Sequence, residues 1–293
     1  MDRLEVRALQ MPLVCDGGMG TQLQARGLQP GECPELWCID HPNLVKAIHE
    51  DYRKAGSQIV ETNTFCASVY KLREFGLEDR MTEINEAGVR LAREVAGTDQ
   101  YVMASMGPTG AFMEPYGDET EENFYAAFKG QAIAFERAGA DAVIVETMTG
   151  IEECCVAVRA VRENTNLTCI ASFTFDPQPD GGYASMMGVT PEIFVEQAKT
   201  AGAQIIGTNC GTGPDDTIRI VRAIRAVAPD MPIIAQPNAG LPELRGTETV
   251  FPETPEEMAA KIPQLLDAGA NIIGGCCGTT PAHIAAFVRA IRS

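Results

Sequence analysis

Short apolar runs alternate with amphipathic segments along most of the 293-residue chain. The apolar runs predict eight strands, at residues 12–16, 57–62, 101–106, 141–146, 168–174, 204–208, 232–236 and 271–274. Helical periodicity and end signals predict helices near residues 2–9, 21–26, 43–55, 82–96, 121–138, 150–163, 190–200, 215–227, 255–267 and 281–291. Strand and helix therefore alternate, which is the pattern of parallel α/β folds.

A short sequence unit recurs along this alternation of strands and helices. The residues Ala-Gly followed by Ser or Ala and an apolar run occur at positions 55, 138, 201 and 268, at the starts of every second predicted strand. Eight parallel strands joined by helices close naturally into a barrel, so we predict a single-domain (β/α)8 TIM barrel over residues 1–293. An open doubly wound sheet is the alternative architecture. In a barrel the chemistry lies at the C-terminal ends of the strands, and segments 176–182 and 240–254 are expected to be loops over that rim.

Three cysteines follow two of the predicted strands. Residues 201–212 and 268–279 share one pattern, in which Cys210 matches Cys277 and Cys276 precedes the latter. If both strands end at one rim, the three thiols converge there, and the glycines around the cysteine pair let the backbone leave strand geometry. Three thiolates with an open fourth position suit a catalytic zinc ion. The alternative is that these cysteines are small buried residues, as free cysteines commonly are.

Polar residues at other strand ends suggest a binding site for a small zwitterion. Asp16 is followed by Gly17 and Gly18 at the start of a predicted helix, where backbone N–H groups can receive a carboxylate. A tight turn that needs glycine would explain the same residues. Asp16 and Glu146, at the ends of strands one and four, suit an ammonium group, although aspartate also caps helices and makes turns. We therefore predict an amino acid whose thiol reaches the zinc, since zinc deprotonates a thiol near neutral pH.

Net charge and cysteine content limit the kinds of partner and the cellular compartment that we expect for the protein. The chain has 40 acidic and 23 basic residues, a formal net charge of −17 and no lysine or arginine cluster, so neither nucleic acid nor an anionic membrane is an expected partner. A charged N-terminal segment and the lack of any apolar run of about 18 residues predict a cytoplasmic protein. Ten cysteines then indicate reduced thiols. The seven outside the repeated strand ends are expected to pack in the core or lie at the surface.

The chain resembles the homocysteine S-methyltransferase family, in particular the homocysteine-binding barrel of cobalamin-dependent methionine synthase. The matching motifs lie at residues 16–21, 61–65, 107–110, 209–210, 237–240 and 274–281. The resemblance implies zinc held by Cys210, Cys276 and Cys277, with homocysteine bound to the zinc through its sulfur. It also implies that Asp16 and Glu146 contact the substrate ammonium.

By the same resemblance the N–H groups of Gly17 and Gly18 receive the substrate carboxylate, and we place Asn209 with the substrate-binding residues. The implied activity is transfer of a methyl group to the thiolate of homocysteine, which forms methionine. The cobalamin-dependent enzyme carries its corrinoid on a further domain, and this chain has no D-x-H-x-x-G segment. We therefore expect the donor to be methylcobalamin on a separate corrinoid protein. S-methylmethionine or betaine is the alternative donor, and a zinc- and thiol-binding protein without turnover is the alternative of another class.

Overall fold

The computed structural model describes residues 1–179, 181–246 and 248–292, and a barrel of eight parallel strands runs through this part of the chain. The barrel strands β1 to β8 are Leu13–Val14, Ile59–Glu61, Tyr101–Met106, Ala142–Met148, Thr168–Phe173, Ile205–Asn209, Ile233–Gln236 and Ile272–Ile273. Their hydrogen-bonded order is β1-β8-β7-β6-β5-β4-β3-β2. The two remaining edges meet at a parallel bridge between Cys15 and Ile59, beside a 2.7 Å bond from Gln58 N to Val14 O. The predicted (β/α)8 barrel is confirmed.

Helices surround the strands. In chain order α1 to α13 are Leu4–Gln10, Met19–Ala25, Trp37–Asp40, Pro42–Ala55, Val69–Arg73, Met81–Ala96, Glu121–Ala138, Ile151–Asn164, Pro191–Ala201, Pro214–Val227, Pro255–Ala259, Ile262–Ala268 and Pro281–Arg292. Four of them, α4, α7, α9 and α12, end at a glycine with positive φ just before a strand. Those glycines are the ones in the repeated Ala-Gly unit. Glycine suits the position because it adopts this left-handed conformation without strain. None of the described helices is long and apolar enough to cross a membrane.

The apolar core has two layers. Alternate strand residues such as Met103, Ile144 and Ile234 fill the inside of the barrel, and Leu4 and Ala8 of α1 pack against them. The other strand face packs against the helices in a larger cluster. Strands buried on both faces carry continuous apolar runs, which is why the sequence marks them so clearly. Since α1 covers the N-terminal ends of the strands, the mouth of the barrel is at the C-terminal ends.

Three local features differ from the sequence-based expectation. The predicted helix at 255–267 is wrong, because α11 and α12 are separate helices and Pro263, which lacks an N–H, lies in the first turn of α12. Each predicted rim loop contains a short antiparallel hairpin, formed by Asp176–Pro177 with Tyr183–Ala184 and by Glu243–Arg245 with Glu248–Val250. The short helices α3 and α5 were not predicted. Asp180 and Thr247 in those loops, and Ser293 at the end of the predicted domain, lie outside the described residues.

Candidate functional site

The three predicted thiols lie together at the mouth of the barrel. Cys210 directly follows β6, and Cys276 and Cys277 follow β8. Their Sγ atoms all lie within 4.8 Å of one another, and the Cys210 and Cys277 sulfurs are 4.0 Å apart. All three residues are partly exposed. The structure therefore brings two distant segments into one thiol group that a ligand can reach.

The backbone around the thiols leaves strand geometry and is held there. Cys210 has φ of 60°, a left-handed conformation that costs a non-glycine residue roughly 1–3 kcal/mol. Its N–H donates to Gln236 O at 3.2 Å. On the other side Cys276 N donates to Pro237 O at 2.9 Å, and Cys277 N donates to Asn238 Oδ1 at 3.1 Å. These bonds continue the pairing with β7 beyond the strand ends and hold the backbone that carries the three thiols.

The loop after β1 packs directly against the cysteine pair. A Cβ on Gly18 would lie 2.7 Å from Cys276 O, and one on Gly275 would lie 2.4 Å from Thr279 Oγ1. Thr279 Oγ1 accepts from Gly18 N at 3.0 Å and donates to Cys276 O at 2.7 Å. Of the two N–H groups predicted to receive a carboxylate, that of Gly18 is thus bonded to Thr279. That of Gly17 donates no hydrogen bond within the described residues.

The Cys210 and Cys277 sulfurs are close enough for an S–H···S hydrogen bond. Hydrogen bonds from the Cys276 and Cys277 thiols lower the pKa of Cys210 to about 3. Its hydrogen bond to Cys210 raises the pKa of Cys277 to about 12, and that of Cys276 also lies well above its ordinary value. A thiolate at Cys210 is therefore stabilised by two thiols, and a cation placed among them would displace the remaining protons. Soft, partly exposed thiolates at this spacing fit zinc with one position open to substrate.

A cluster of three carboxyl groups lies beside the thiols. Asp16 Oδ2 accepts from Glu61 N at 2.9 Å, and the Glu146 carboxylate lies close enough to Glu61 to raise the pKa of the Glu61 carboxyl group. Burial raises the pKa of Asp16 to about 7. Burial also raises the pKa of Glu146, while burial together with the Glu146 carboxylate raises that of Glu61 well above its usual range. Among the described residues no lysine, arginine or histidine forms an ion pair with these groups, so the cluster favours an incoming cation.

Asn209 connects the two groups. Its Nδ2 donates to Glu146 Oε2 at 2.8 Å and to Thr147 Oγ1 at 2.7 Å. Its Oδ1 accepts from Thr147 N at 2.9 Å and from Ser172 Oγ at 2.7 Å. Both donors and both acceptor positions of the amide are therefore filled by protein. Asn209 can contribute to substrate binding, as predicted, by holding the Glu146 carboxylate in position.

Sequence reasoning did not assign Glu61 and Gln236 to the site. Gln236, at the end of β7, donates from Nε2 to Glu61 Oε2 at 2.8 Å, and Glu61 ends β2. Cys15, expected to be a packing residue, is fully buried, and its Sγ also lies within 4.8 Å of the Asp16 and Glu61 carboxyl oxygens. The sequence does indicate both positions, since Glu61 and Gln236 are each a polar residue at the C-terminal end of an apolar run.

A separate cleft of about 640 Å³ lies beside the rim. Its lining includes Phe112, Tyr116 and Met187, and it contains none of the three thiols or three carboxyl groups described above. Tyr116 is 80 % exposed. The thiols and carboxyl groups therefore lie in a different part of the C-terminal face from this cleft.

Fold and site together define a TIM barrel that carries a three-thiol group next to a carboxyl cluster. A model of the family described as homocysteine S-methyltransferase matches residues 13–291. The chain is 32 % identical to a methionine synthase of Mycobacterium tuberculosis and 31 % identical to one of Mycobacterium leprae, over 100 % and 99 % of its own length. It spans about a quarter of the length of these two relatives, 25 % in each case.

The comparison of structures agrees. The metallated form of the homocysteine methyltransferase MmuM from Escherichia coli superposes with a TM-score of 0.79 at 27 % identity, covering 99 % of this chain and 100 % of that one. A methyltransferase from Methanosarcina mazei shares the fold, with a TM-score of 0.63 at 10 % identity, over 99 % of this chain and 97 % of that one. The chain belongs to the homocysteine S-methyltransferase family.

Proposed function

We propose that the protein is a zinc-dependent enzyme that transfers a methyl group to the thiolate of homocysteine and forms methionine. The observation that carries this proposal is the convergence of Cys210, Cys276 and Cys277 within 4.8 Å, at a mouth that also holds Asp16 and Glu146. The thiols suit a metal that binds sulfur, and the carboxyl groups suit an ammonium group. Homocysteine has a thiol and an ammonium group in one small molecule.

Each residue then has a defined task. The three cysteines would hold zinc, which when bound lowers the pKa of a substrate thiol and leaves its sulfur nucleophilic. Asp16 and Glu146 would accept hydrogen bonds from the substrate ammonium, which supplies the positive charge that the cluster lacks. The Gly17 N–H, together with that of Gly18 once it is released from Thr279, would receive the carboxylate.

We propose a methylated corrinoid on a separate protein as the donor. The similarity to two methionine synthases supports a corrinoid donor, and the form of the rim supports a donor that docks on it. Apolar side chains there are exposed, including Tyr116, Met187 and Leu244, and exposed apolar surface is typical of a docking face. A thiolate at the mouth attacks a methyl carbon held in line at about 3–3.5 Å, so a bulky donor must cover the mouth. A methylated corrinoid would supply the methyl group to the substrate thiolate: the new C–S bond would replace the Co–C bond, whose electron pair would remain with the corrinoid.

S-methylmethionine or betaine is the second candidate donor. The observation in its favour is that the chain covers 100 % of the Escherichia coli MmuM structure, so the two proteins match over the whole of that enzyme. A small onium donor would need no docking partner. A zinc- and thiol-binding protein without turnover would use the same cysteines and carboxyl groups.

A donor screen separates these candidates. Homocysteine is supplied to the zinc-loaded protein with methylcobalamin, S-methylmethionine or betaine in parallel, and methionine is measured. We expect slow turnover with free methylcobalamin, because free cofactor lacks the protein contacts that orient the methyl group. Efficient turnover with S-methylmethionine or betaine, and none with methylcobalamin, would replace the corrinoid donor by the second candidate. Binding of homocysteine without methionine from any donor would favour the non-catalytic alternative.

A further inference from the structure

The hydroxyl group of Tyr52 joins two loops at the mouth of the barrel. Tyr52 lies on α4 and is fully buried, and its OH is 3.1 Å from both Gly18 O and Thr279 O. Gly18 follows β1, and Thr279 follows the cysteine pair after β8. The loops pack closely there, since a Cβ on Gly17 would lie 2.6 Å from Thr279 Oγ1 and 3.0 Å from the Tyr52 OH. One tyrosine therefore holds the glycine loop against the loop that carries two of the thiols.

Two further hydrogen bonds connect these loops. Gly275 N donates to Asp16 O at 3.0 Å, next to the end of the β1–β8 pairing. Farther along, Gly18 N donates to Thr279 Oγ1 at 3.0 Å. That bond is lost if the Gly18 N–H turns to a substrate carboxylate, as the proposed function requires. The Tyr52 hydroxyl bonds to carbonyl oxygens instead, so its bonds can remain while the substrate is bound.

We propose that Tyr52 is a positioning residue that sets the separation between the thiol group and the N–H groups of Gly17 and Gly18. This inference rests on the proposed function and extends it. Tyr52 touches no substrate atom, but homocysteine bound through both its sulfur and its carboxylate spans the two loops and depends on their spacing. The carboxyl group of Asp16 is held separately by Glu61 N, so the ammonium contact does not depend on Tyr52.

The test compares homocysteine with 3-aminopropane-1-thiol, which has the same thiol, ammonium group and spacing but no carboxylate. Both dissociation constants are measured by calorimetry on zinc-loaded full-length protein. Tyr52→Phe keeps the aromatic ring and removes the hydroxyl, and Thr279→Val removes the hydroxyl that binds Gly18 N. Tyr101→Phe is the matched control, because it removes a 2.8 Å bond from another buried tyrosine, to Asp2 O, at the start of β3.

We expect Tyr52→Phe to weaken homocysteine binding about tenfold, to leave binding of the carboxylate-free thiol within about twofold, and to keep one equivalent of zinc. Thr279→Val should bind homocysteine within about threefold of the wild type, because the Tyr52 bonds are intact. The Tyr101→Phe control should change neither constant.

Three results would overturn the role of Tyr52. Equal weakening of both thiols, or unchanged homocysteine affinity, in Tyr52→Phe would show no effect on the spacing of the loops. Loss of zinc from that variant would show that the hydroxyl supports the thiol group itself. A selective loss of homocysteine in Thr279→Val as large as in Tyr52→Phe would place the connection at Thr279. Failure of the proposed function is distinct, since the zinc-loaded wild-type protein would then bind neither thiol.

Discussion

Asn209 donates a hydrogen bond to the Glu146 carboxylate at 2.8 Å, and the next residue in the chain is Cys210. The residue after Glu146 is also bound by Asn209, because Thr147 N donates to Asn209 Oδ1 at 2.9 Å. Thr147 and Cys210 both have left-handed backbones, with φ of 56° and 60°. One buried amide thus fixes two strained strand ends relative to each other, and with them the separation of the carboxyl cluster from the thiols.

Replacement of Asn209 should affect both stability and substrate binding. We expect Asn209→Ala to lower the free energy of unfolding by about 2–4 kcal/mol, because four hydrogen bonds are lost and Glu146 is left with fewer donors. Homocysteine affinity should fall at least tenfold. Urea denaturation and calorimetry measure the two effects. Asn164→Ala, which removes bonds to Tyr125 and Ala160 far from the thiols, should leave homocysteine affinity unchanged. Equal affinities in both variants would refute the linking role.

Each of the three thiols should be needed for the metal. We expect Cys210→Ser, Cys276→Ser and Cys277→Ser each to lose most of the zinc and the activity, because serine is a harder and much less acidic ligand than cysteine. Cys155→Ser, at a partly exposed cysteine on α8, is the control and should keep one equivalent. Metal analysis by mass spectrometry checks the outcome. Full zinc content in all three site variants would show that these sulfurs are not the ligands.

The charge of Glu146 should contribute to substrate affinity but not to zinc binding. We expect Glu146→Gln to weaken homocysteine binding by about 1–3 kcal/mol, the effect of losing a charge-assisted hydrogen-bond acceptor. Zinc content should not change. Glu153→Gln is a suitable control, since Glu153 is a largely buried rim carboxylate that accepts two bonds from Thr109. An unchanged homocysteine affinity in calorimetry would remove Glu146 from the site.

Burial of Asp16 should make stability depend on pH. Burial raises the pKa of Asp16 from 3.8 to about 7, so the folded protein binds this proton more tightly than the unfolded chain does. The charged Asp16 carboxylate destabilises the folded protein. This effect is absent below pH 3.8, grows as pH rises and is complete above pH 7. Asp16→Asn removes it.

We therefore expect the metal-free Asn variant to be more stable than the metal-free wild type at pH 8, by at most about 4 kcal/mol at 1.36 kcal/mol per pKa unit. The gain should be much smaller at pH 5. Urea denaturation at both pH values measures it. An equal difference at the two pH values, or a less stable variant at pH 8, would contradict a buried and ionised Asp16.

The barrel and the thiol group could be predicted because both follow from local pattern. Alternation of apolar runs with helices indicates parallel strands, and the match of Cys210 with Cys277 places both at equivalent strand ends. The bond from Gln236 to Glu61 could not be predicted, because it joins β7 to β2 across the mouth and depends on how far each side chain extends. Likewise, the pairing of Gly18 N with Thr279 joins residues 261 positions apart, and no sequence periodicity encodes it.

Binding of homocysteine to zinc-loaded and metal-free protein, measured by calorimetry in two buffers of different ionisation enthalpy, tests the central claim most directly. We expect the zinc-loaded protein to bind homocysteine at least tenfold more tightly, with release of a proton to the buffer, because the thiol is deprotonated as it binds. Cys276→Ser should behave like the metal-free protein. Equal affinity with and without zinc, or tight binding without proton release, would contradict a site in which Cys210, Cys276 and Cys277 hold a metal that activates the substrate thiol.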